Sequence, residues 1–205
     1  MPRDGRATRD RILESAVRLV IERGFAATSL DQVIADSGSS KGSFFHHFES
    51  KQALAEALVE RYVAADLEML ADGLAVAKAT VSSAPPALAF LDHYVTIADE
   101  IMGGQTGCLY TSILSETQLI EAGTSEPIAR AVLSWRERFA GLLRESLDDR
   151  AEVDVDALAD HVFVTFEGAF LLARSLGDPS HMRRQLAVLR MLVASLLEGP
   201  AQVRT

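Results

Sequence analysis

The chain has 205 residues, 48% of them hydrophobic and 24% charged, a balance that is typical of a packed globular protein and excludes a disordered one. Its net charge is −9, but residues 1–51 carry eight Lys and Arg against seven Asp and Glu, so the other 154 residues together hold −10. Because phosphate contact depends on the local field, this distribution permits a nucleic-acid partner at the amino-terminal end.

Residues 1–11 are polar and basic and lack the apolar region of a secretory signal. No apolar stretch of the sequence approaches the roughly 20 residues that a membrane helix needs. The one cysteine, Cys108, cannot form an internal disulfide, which fits a reducing compartment. We therefore expect a cytoplasmic protein with no membrane partner.

Four helices are predicted in the first third of the chain, where apolar residues recur at three- and four-residue spacing. Ser29, with a glutamine three residues later, has the spacing of a capping box and begins a short second helix that Gly38 ends. Ser39 is expected to cap a short third helix, and Ser50 a fourth that runs well beyond residue 65. Two short helices joined by a glycine turn indicate a helix-turn-helix.

Helices are also predicted for the rest of the chain, because no segment alternates between apolar and polar residues as a strand does. Loops are expected at 84–86, 103–107 and 122–127, where glycine, proline and polar residues cluster. Two helices follow near the end of the chain, one at about 154–176 and one that stops at Glu198, with a very short connection between them. The sequence therefore predicts an all-α fold.

Residues 24–54 carry a longer signature, which reads G-F-A-A-T-S-L-D-Q-V-I-A-D-S-G-S-S-K-G-S-F-F-H-H-F-E-S-K-Q-A-L. In order and spacing this run resembles the DNA-binding region of the TetR family of transcriptional regulators. The resemblance implies a three-helix helix-turn-helix domain at 1–54 and a larger helical ligand-binding and dimerisation domain at 55–205. It also implies a homodimeric repressor that a small organic molecule or an electrophile, acting as inducer, releases from a palindromic double-stranded operator.

The residues expected to face DNA lie at the starts of helices two, three and four. Ser40, Lys41 and Ser43 are at the amino-terminal end of the recognition helix, the end that enters the major groove in this motif. Thr28 and Lys51 begin helices whose positive ends help to grip phosphate. The predicted DNA-binding residues are Thr28, Ser29, Ser39, Ser40, Lys41, Ser43, Phe45, His46 and Lys51.

One part of the signature departs from the family pattern. Many members have Tyr-Tyr-His-Phe where this chain has F-H-H-F at 45–48, so a phenolic hydroxyl is missing at Phe45. We expect Phe45 to contact a thymine methyl group or a sugar. His46 is expected either to donate a hydrogen bond to phosphate, which would be stronger when the imidazole is protonated, or simply to pack against its neighbours. Phe44 and Phe48 lie on the inward face of the helix and are assigned to the core.

The middle of the chain is rich in aromatic and apolar residues with a few polar groups, which is typical of a pocket for a small organic ligand. His93 and Tyr110 are the expected polar contacts, while many of the other residues are expected to be plain core. Cys108 is either a redox or electrophile sensor or, more simply, a small buried side chain at a helix start. The predicted ligand-binding residues are Phe90, His93, Tyr94, Ile97, Cys108, Tyr110, Trp135, Phe139, Phe166 and Phe170.

The last two helices each carry an apolar stripe, which favours either a dimer interface, as the resemblance implies, or an internal core. A symmetric dimer suits a palindromic site, because two recognition helices then read two half-sites. The predicted interface residues are Val162, Phe166, Ala169, Ala173, Leu186, Leu189, Val193 and Leu196.

Two other functions were weighed against the regulator. An enzyme is not expected, because the sequence has no nucleophile elbow, no P-loop and no histidine–carboxylate cluster at metal-ligand spacing; no cofactor or metal is therefore expected. The acidic residues between 148 and 160 are interpreted as a solvated loop and helix start. An adaptor that has lost DNA contact is disfavoured by the intact T-S and S-K-G-S residues.

Overall fold

A computed structural model describes residues 5–80, 84–103, 107–121, 123–147 and 153–198. Within these residues the secondary structure is helical without a strand, which confirms the predicted all-α fold. No helix in this described part of the chain combines the length and the apolar character needed to cross a bilayer. The helices are α1 (Gly5–Arg23), α2 (Leu30–Asp36), α3 (Lys41–His47), α4 (Lys51–Ala79), α5 (Pro86–Gly103), α6 (Leu109–Leu114), α7 (Thr117–Glu121), α8 (Ser125–Ser146), α9 (Val155–Leu176) and α10 (His181–Glu198).

The helices form two compact units. The first contains the described residues of Met1–Ala65 and Gln105–Arg130, so α6 and α7 belong with α1, α2 and α3 although they lie far along the chain. Its core includes Ile12, Phe44 and Leu58 from the helix-turn-helix region together with Leu109 and Ile113 from α6, all of them fully buried. The functional division at residue 54 remains a prediction that this spatial grouping does not decide.

The second unit contains the described residues of Asp66–Gly104 and Ala131–Thr205. Within it α10 packs against both α5 and α9. Arg190 on α10 donates to both carboxylate oxygens of Asp92 on α5 at 2.9 and 3.2 Å, and Arg136 on α8 binds both oxygens of Asp160 on α9 at 2.6 and 2.7 Å. These paired contacts fix the register of neighbouring helices around a shared apolar core.

Most predicted helix ends lie where the sequence placed them. The fourth helix does extend well past residue 65, α9 begins at an Asp154 cap, and Gly177 ends it with a left-handed φ of 67°. The side chain of Asp154 accepts a hydrogen bond from the N–H of Ala157 at 3.0 Å, so this member of the acidic cluster starts a helix as expected. Residues 148–152 of that cluster lie outside the described residues.

Three boundaries differ from the predictions. Ser40, and not Ser39, caps α3, because its Oγ accepts from the N–H of Ser43 at 3.1 Å. The predicted loop at 122–127 is shorter, since α8 already begins at Ser125 and includes Pro127, a residue that the first turn of a helix tolerates. The predicted loop at 103–107 lies only partly within the described residues, and Gly103 is the last residue of α5.

Candidate nucleic-acid interface and ligand-sensing region

Helix α2 is capped by side chains at its amino-terminal end and is followed by a glycine turn. The Oγ of Ser29 accepts from the N–H of Gln32 at 3.2 Å, and the side-chain oxygen of Gln32 accepts from the N–H of Ser29 at 2.8 Å, which is the predicted capping box. After Ser37, Gly38 turns the chain with a φ of 63°, a conformation that a side chain would strain. The short turn that follows carries the chain directly into α3.

Helix α3 is held by two buried rings and presents its amino-terminal end outward. Phe44 and Phe48 are 0% and 3% exposed, with their ring centroids 5.6 Å apart, which confirms that both belong to the core. Ser40 and Lys41 are exposed, and a Cβ at Gly42 would meet no atom within 4 Å. This end of α3 therefore offers small polar side chains, one ammonium group and unobstructed backbone.

Phe45 and His46 extend the same exposed surface. Phe45 is 43% exposed although its ring packs edge-on against Phe44 at 5.4 Å between centroids. His46 is exposed, and its ring lies 5.2 Å from that of His47. Burial lowers the pKa of the His47 imidazole, and the nearby His46 and Arg9 lower it further. The guanidinium of Arg9 lies 5.4 Å from the Phe48 ring centroid, so α1 adds a cation at the carboxyl-terminal end of α3.

Two groups in this region were not predicted to take part. Asp31, in the first turn of α2, lies 3.6 Å from the ammonium of Lys41, and both side chains are highly exposed. Arg9 contacts the carboxyl-terminal end of α3 from α1, which is far away in sequence. The Lys41–Asp31 pair bridges ten residues across a turn, and the Arg9 contact depends on how α1 packs, so neither could be found from local spacing.

Thr28 is used inside the protein, which corrects the prediction that it grips phosphate directly, whereas Lys51 is half-buried and its contact with phosphate stays a prediction. Thr28 is only 3% exposed, and its hydroxyl donates to the carbonyl of Gly24 at 2.8 Å. The ammonium of Lys51 donates to the carbonyl of Phe25 at 2.7 Å and lies 4.4 Å from the ring centroid of that residue. Burial lowers the pKa of Lys51, while the nearby carboxylate of Glu116 raises it. Both side chains shape the loop before α2.

The structure brings most of the predicted ligand-binding residues together in the second unit. Phe90 stacks on Phe139 at 5.0 Å between centroids, and Tyr94 lies 5.0 Å from Phe90 and 5.7 Å from Phe166. Trp135 contacts Phe90, Tyr94 and Phe166 at 5.5 to 6.1 Å. We call these five residues the aromatic cluster. Phe170 is also buried in this unit, and Ile97 is half-buried.

Few polar atoms lie within this cluster, and two of them have fixed partners. The Tyr94 hydroxyl donates to the carbonyl of Met69 at 2.8 Å, and the Trp135 indole N–H donates to Asp66 at 3.1 Å. Burial raises the pKa of Tyr94, and the charges of Asp66 and Asp72 raise it further. His93, whose ring lies 5.1 Å from Tyr94, has a buried Nε2 with no hydrogen-bond partner among the described residues. A bound polar group would be able to satisfy that nitrogen.

Cys108 and Tyr110 belong to the first unit and therefore do not join the aromatic cluster. Cys108 is 8% exposed and precedes α6, and the hydroxyl of Tyr62 lies 3.8 Å from its sulfur. The Tyr62 and Tyr110 rings pack edge-on at 5.0 Å between centroids. The predicted ligand-binding set thus divides into two groups in different units, a division that sequence position did not indicate.

The predicted dimer residues need correction. Seven of the eight, all except Leu196, are at most 8% exposed within a single chain, so they form the core between helices and offer no surface to a second chain. The stripes were identified correctly but face inward. A different set of apolar side chains on α9 and α10 is 37% to 67% exposed: Val164, Leu171, Leu172, Leu176, Val188, Met191, Leu192 and Leu196.

Comparisons with known proteins agree with this architecture. A family model described as "Bacterial regulatory proteins, tetR family" matches residues 12–58, and one described as "Tetracyclin repressor-like, C-terminal domain" matches residues 87–189. The transcriptional regulator AcuR of Cereibacter sphaeroides is 26% identical over 83% of this chain and 78% of its own length. The HTH-type transcriptional repressor DhaR of Mycobacterium sp. is 24% identical over 80% of each chain.

A solved structure shares the fold. The regulatory protein TetR from Rhodobacter sphaeroides aligns with a TM-score of 0.74 at 24% identity, covering 89% of this chain and 96% of that protein. The second family match alone spans half of the present sequence, and the first covers a helix-turn-helix whose recognition helix begins at exposed residues. The chain therefore belongs to the TetR family of bacterial regulatory proteins and is a ligand-responsive, DNA-binding transcriptional regulator.

Proposed function

We propose that this regulator is a homodimeric repressor, which a small organic molecule or an electrophile releases from a palindromic operator. The observation that carries the proposal is the exposed amino-terminal end of α3, where Ser40, Lys41 and Ser43 surround an open Gly42. A helix end of this kind fits into the major groove, where hydroxyl and ammonium groups contact base edges. Because operator DNA lies in the bacterial cytoplasm, we place the protein there.

The surrounding residues supply the contacts that position α3 on DNA. We assign Phe45 to a thymine methyl group or sugar, because its ring is exposed beside the reading end. We assign His46, Ser29 and Ser39 to contacts with the phosphates of the DNA backbone. Such contacts orient the protein on the duplex but do not read its sequence. Lys51 and Thr28 contribute indirectly, because their polar atoms hold the loop before α2.

The homodimer is proposed to form through the exposed apolar residues of α9 and α10. Val164, Leu171 and Leu172 recur at helical spacing along one face of α9, and Gly168 lies on the same face with open space around it. Leucines exposed to water in this number are costly, and contact with a second copy would bury them. A glycine within the face allows two helices to approach closely.

The inducer is proposed to bind beside the aromatic cluster. Rings from three helices, α5, α8 and α9, meet there, and the Nε2 of His93, which has no hydrogen-bond partner in the described part of the chain, supplies a polar contact for an organic ligand. Release then follows if the ligand favours a dimer whose two recognition helices no longer match the spacing of the half-sites. Cys108, close to the Tyr62 hydroxyl, is the candidate group for an electrophile.

Selection of DNA from a randomised duplex pool tests the assignment. The purified wild-type protein is expected to enrich a palindrome whose half-sites lie about one helical turn, or a multiple of it, apart. A variant with Lys41→Ala, passed through the same selection, controls for non-specific retention by basic groups elsewhere. Enrichment of one palindrome only by the wild-type protein supports the proposal, and failure to retain any duplex at low salt contradicts it.

A further inference from the structure

One peptide group in the loop before α2 is held at both of its ends by opposite charges. The carbonyl oxygen of Phe25 accepts from the ammonium of Lys51 at 2.7 Å, and the N–H of Ala26, in the same peptide group, donates to the carboxylate of Glu116 at 2.9 Å. The peptide dipole thus points its negative end at a cation and its positive end at an anion. We call this arrangement, formed by Lys51, Glu116 and the Phe25–Ala26 peptide, the peptide clamp.

The clamp orients the start of α2. Gly24 carries the chain out of α1 with a φ of 85°, and the N–H of Thr28 then donates to the carbonyl of Phe25 at 3.1 Å. The hydroxyl of Thr28 closes the same loop on Gly24, one residue before the Ser29 cap. A rotation of the clamped peptide would therefore disturb the bonds that place the first residue of α2, the helix that supports α3.

Glu116 is itself firmly placed, at the junction between α6 and α7. Its N–H donates to the carbonyl of Ile113 at 3.0 Å, and its own carbonyl accepts from the N–H groups of Leu119 and Ile120 at 3.0 and 3.2 Å. Ile113 and Leu119 are almost completely buried in the first unit. A shift of α6 and α7 would thus carry the Glu116 carboxylate with it.

The covalent chain connects this junction to the helices that bear the aromatic cluster. The segment 107–121 follows α5, which carries Phe90 and Tyr94, and precedes α8. Helix α8 runs continuously from Ser125 to Ser146 and carries Trp135 and Phe139, so the helix that begins after α7 bears part of the aromatic cluster. The hydrogen bond between Glu116 and the N–H of Ala26 joins the segment between α5 and α8 to the loop before α2.

We infer that Glu116 is a positioning residue for DNA binding, which links the α6–α7 segment to the helix-turn-helix through the peptide clamp. The inference rests on the proposed function, since it supplies the contact through which ligand binding would change operator affinity. Coupling of this kind is reciprocal, so operator binding must also alter the α6–α7 segment in the absence of any ligand. That reciprocity allows a test while the inducer is unidentified.

The test compares Glu116→Ala and Glu116→Gln with Glu126→Ala, a matched control. Glu126 is an exposed residue of the same unit whose carboxylate pairs with Arg130, one turn along α8, so its loss removes the same charge without touching the clamp. In the free protein, hydrogen exchange at 24–30 is expected to accelerate in Glu116→Ala and to stay unchanged in the control. Glu116→Gln keeps an acceptor for the Ala26 N–H and should lie between them.

Two further measurements decide the inference: the affinity for operator DNA, and the protection from hydrogen exchange that operator binding produces. On the duplex recovered by selection, Glu116→Ala is expected to bind about 2- to 30-fold more weakly than the wild-type protein, with partial rescue by glutamine. Operator binding should slow hydrogen exchange at 109–121 in the wild-type protein and in the control, but not in Glu116→Ala.

The possible failures are distinguishable. Unchanged exchange at 24–30 in Glu116→Ala shows that the clamp does not hold the loop and overturns the inference. The inference is also overturned if Glu116→Ala exchanges faster at 24–30 but keeps the wild-type operator affinity and the wild-type protection of 109–121. The clamp would then hold the loop without influencing DNA binding. If the wild-type protein retains no duplex at all, the proposed function fails, and a positioning role for DNA binding fails with it, whatever the exchange at 24–30 reports about the clamp.

Discussion

The ring of Tyr94 occupies the space that a side chain at Gly73 would take. A Cβ built on Gly73 overlaps the hydroxyl of Tyr94 and lies 2.8 and 2.9 Å from two carbons of its ring. Tyr94 cannot retreat easily, because it is fully buried within the aromatic cluster and its hydroxyl donates to Met69. This glycine, in the carboxyl-terminal half of α4, is therefore part of the packing that supports the proposed sensing region.

Gly73→Ala is predicted to destabilise the protein. Overpacking of a tight core costs about 1–3 kcal/mol, which exceeds the roughly 0.5–1 kcal/mol that alanine gains over glycine inside a helix. Gly141→Ala is the matched control, because a Cβ at this helical glycine of α8 meets nothing within 4 Å. Urea unfolding should show a lower free energy of unfolding for the first variant and a slightly higher one for the second. The opposite order would mean that Tyr94 moves freely.

Tyr94 also predicts a loss of stability at alkaline pH. Its pKa is raised in the folded protein by burial and by the charges of Asp66 and Asp72, so it stays protonated after an unfolded tyrosine ionises near pH 10. Above that pH the unfolded state binds fewer protons, and this group removes up to about 1.4 kcal/mol of stability per pH unit. The free energy of unfolding of Tyr94→Phe, measured by denaturant titration, should therefore fall less steeply with pH than that of the wild-type protein. The range to measure is pH 9 to 11, roughly one unit either side of the pKa of an unfolded tyrosine. Parallel curves would show that Tyr94 is not the group responsible.

The exposed face of α9 predicts which substitution separates the subunits. Leu171 is 67% exposed in the single chain, so Leu171→Glu should fold normally but place a carboxylate in the proposed interface, where desolvation of an unpaired charge costs several kcal/mol. Leu133→Glu, at a 44% exposed leucine of α8, is the control. Sedimentation at micromolar concentration should give a monomer for the first and a dimer for the second. A dimeric Leu171→Glu protein would place the interface elsewhere.

Asp31 is predicted to limit binding to DNA of the wrong sequence. Its carboxylate lies 3.6 Å from the Lys41 ammonium on the proposed reading surface, where it offsets a positive charge and would repel phosphate. Asp31→Asn should therefore bind random-sequence duplex about 2- to 5-fold more tightly at low salt, a change typical of one exposed ion pair. Glu137→Gln, an exposed residue of the second unit, removes the same charge as a control. Weaker binding by Asp31→Asn would show that the carboxylate orients Lys41 productively.

The sequence predicted those features that depend on local patterns. Ser29 with Gln32, the glycine at 38 and the inward Phe44 and Phe48 are each set by neighbours a few residues away, and the structure confirms them. The aromatic cluster was also recognisable as a set of large apolar residues, although the sequence assigned Tyr110 and Cys108 to it as well. Those two residues belong to the first unit because α6 packs on α1, a long-range contact that no spacing encodes.

The dimer face shows a different limit. An amphipathic stripe indicates which residues are buried but not whether a helix of the same chain or of a partner buries them. Ala169 and Leu186 lie on such stripes and pack inside the chain, while Leu171 and Met191, which were not selected, remain exposed. Thr28 shows a similar limit, because a polar residue at a helix start serves equally well to hold a neighbouring loop.

The most direct test of the account is the operator affinity of Lys41→Ala, measured by gel-shift titration on the selected duplex. Lys41 is exposed at the first residue of α3, so the substitution should leave the helical circular dichroism unchanged. We predict a loss of affinity of about 5- to 150-fold, the range for one specific contact to a base edge. Lys78→Ala, in the last turn of α4, should bind like the wild-type protein. Equal affinity of Lys41→Ala and the wild-type protein would contradict the claim that the start of α3 reads DNA.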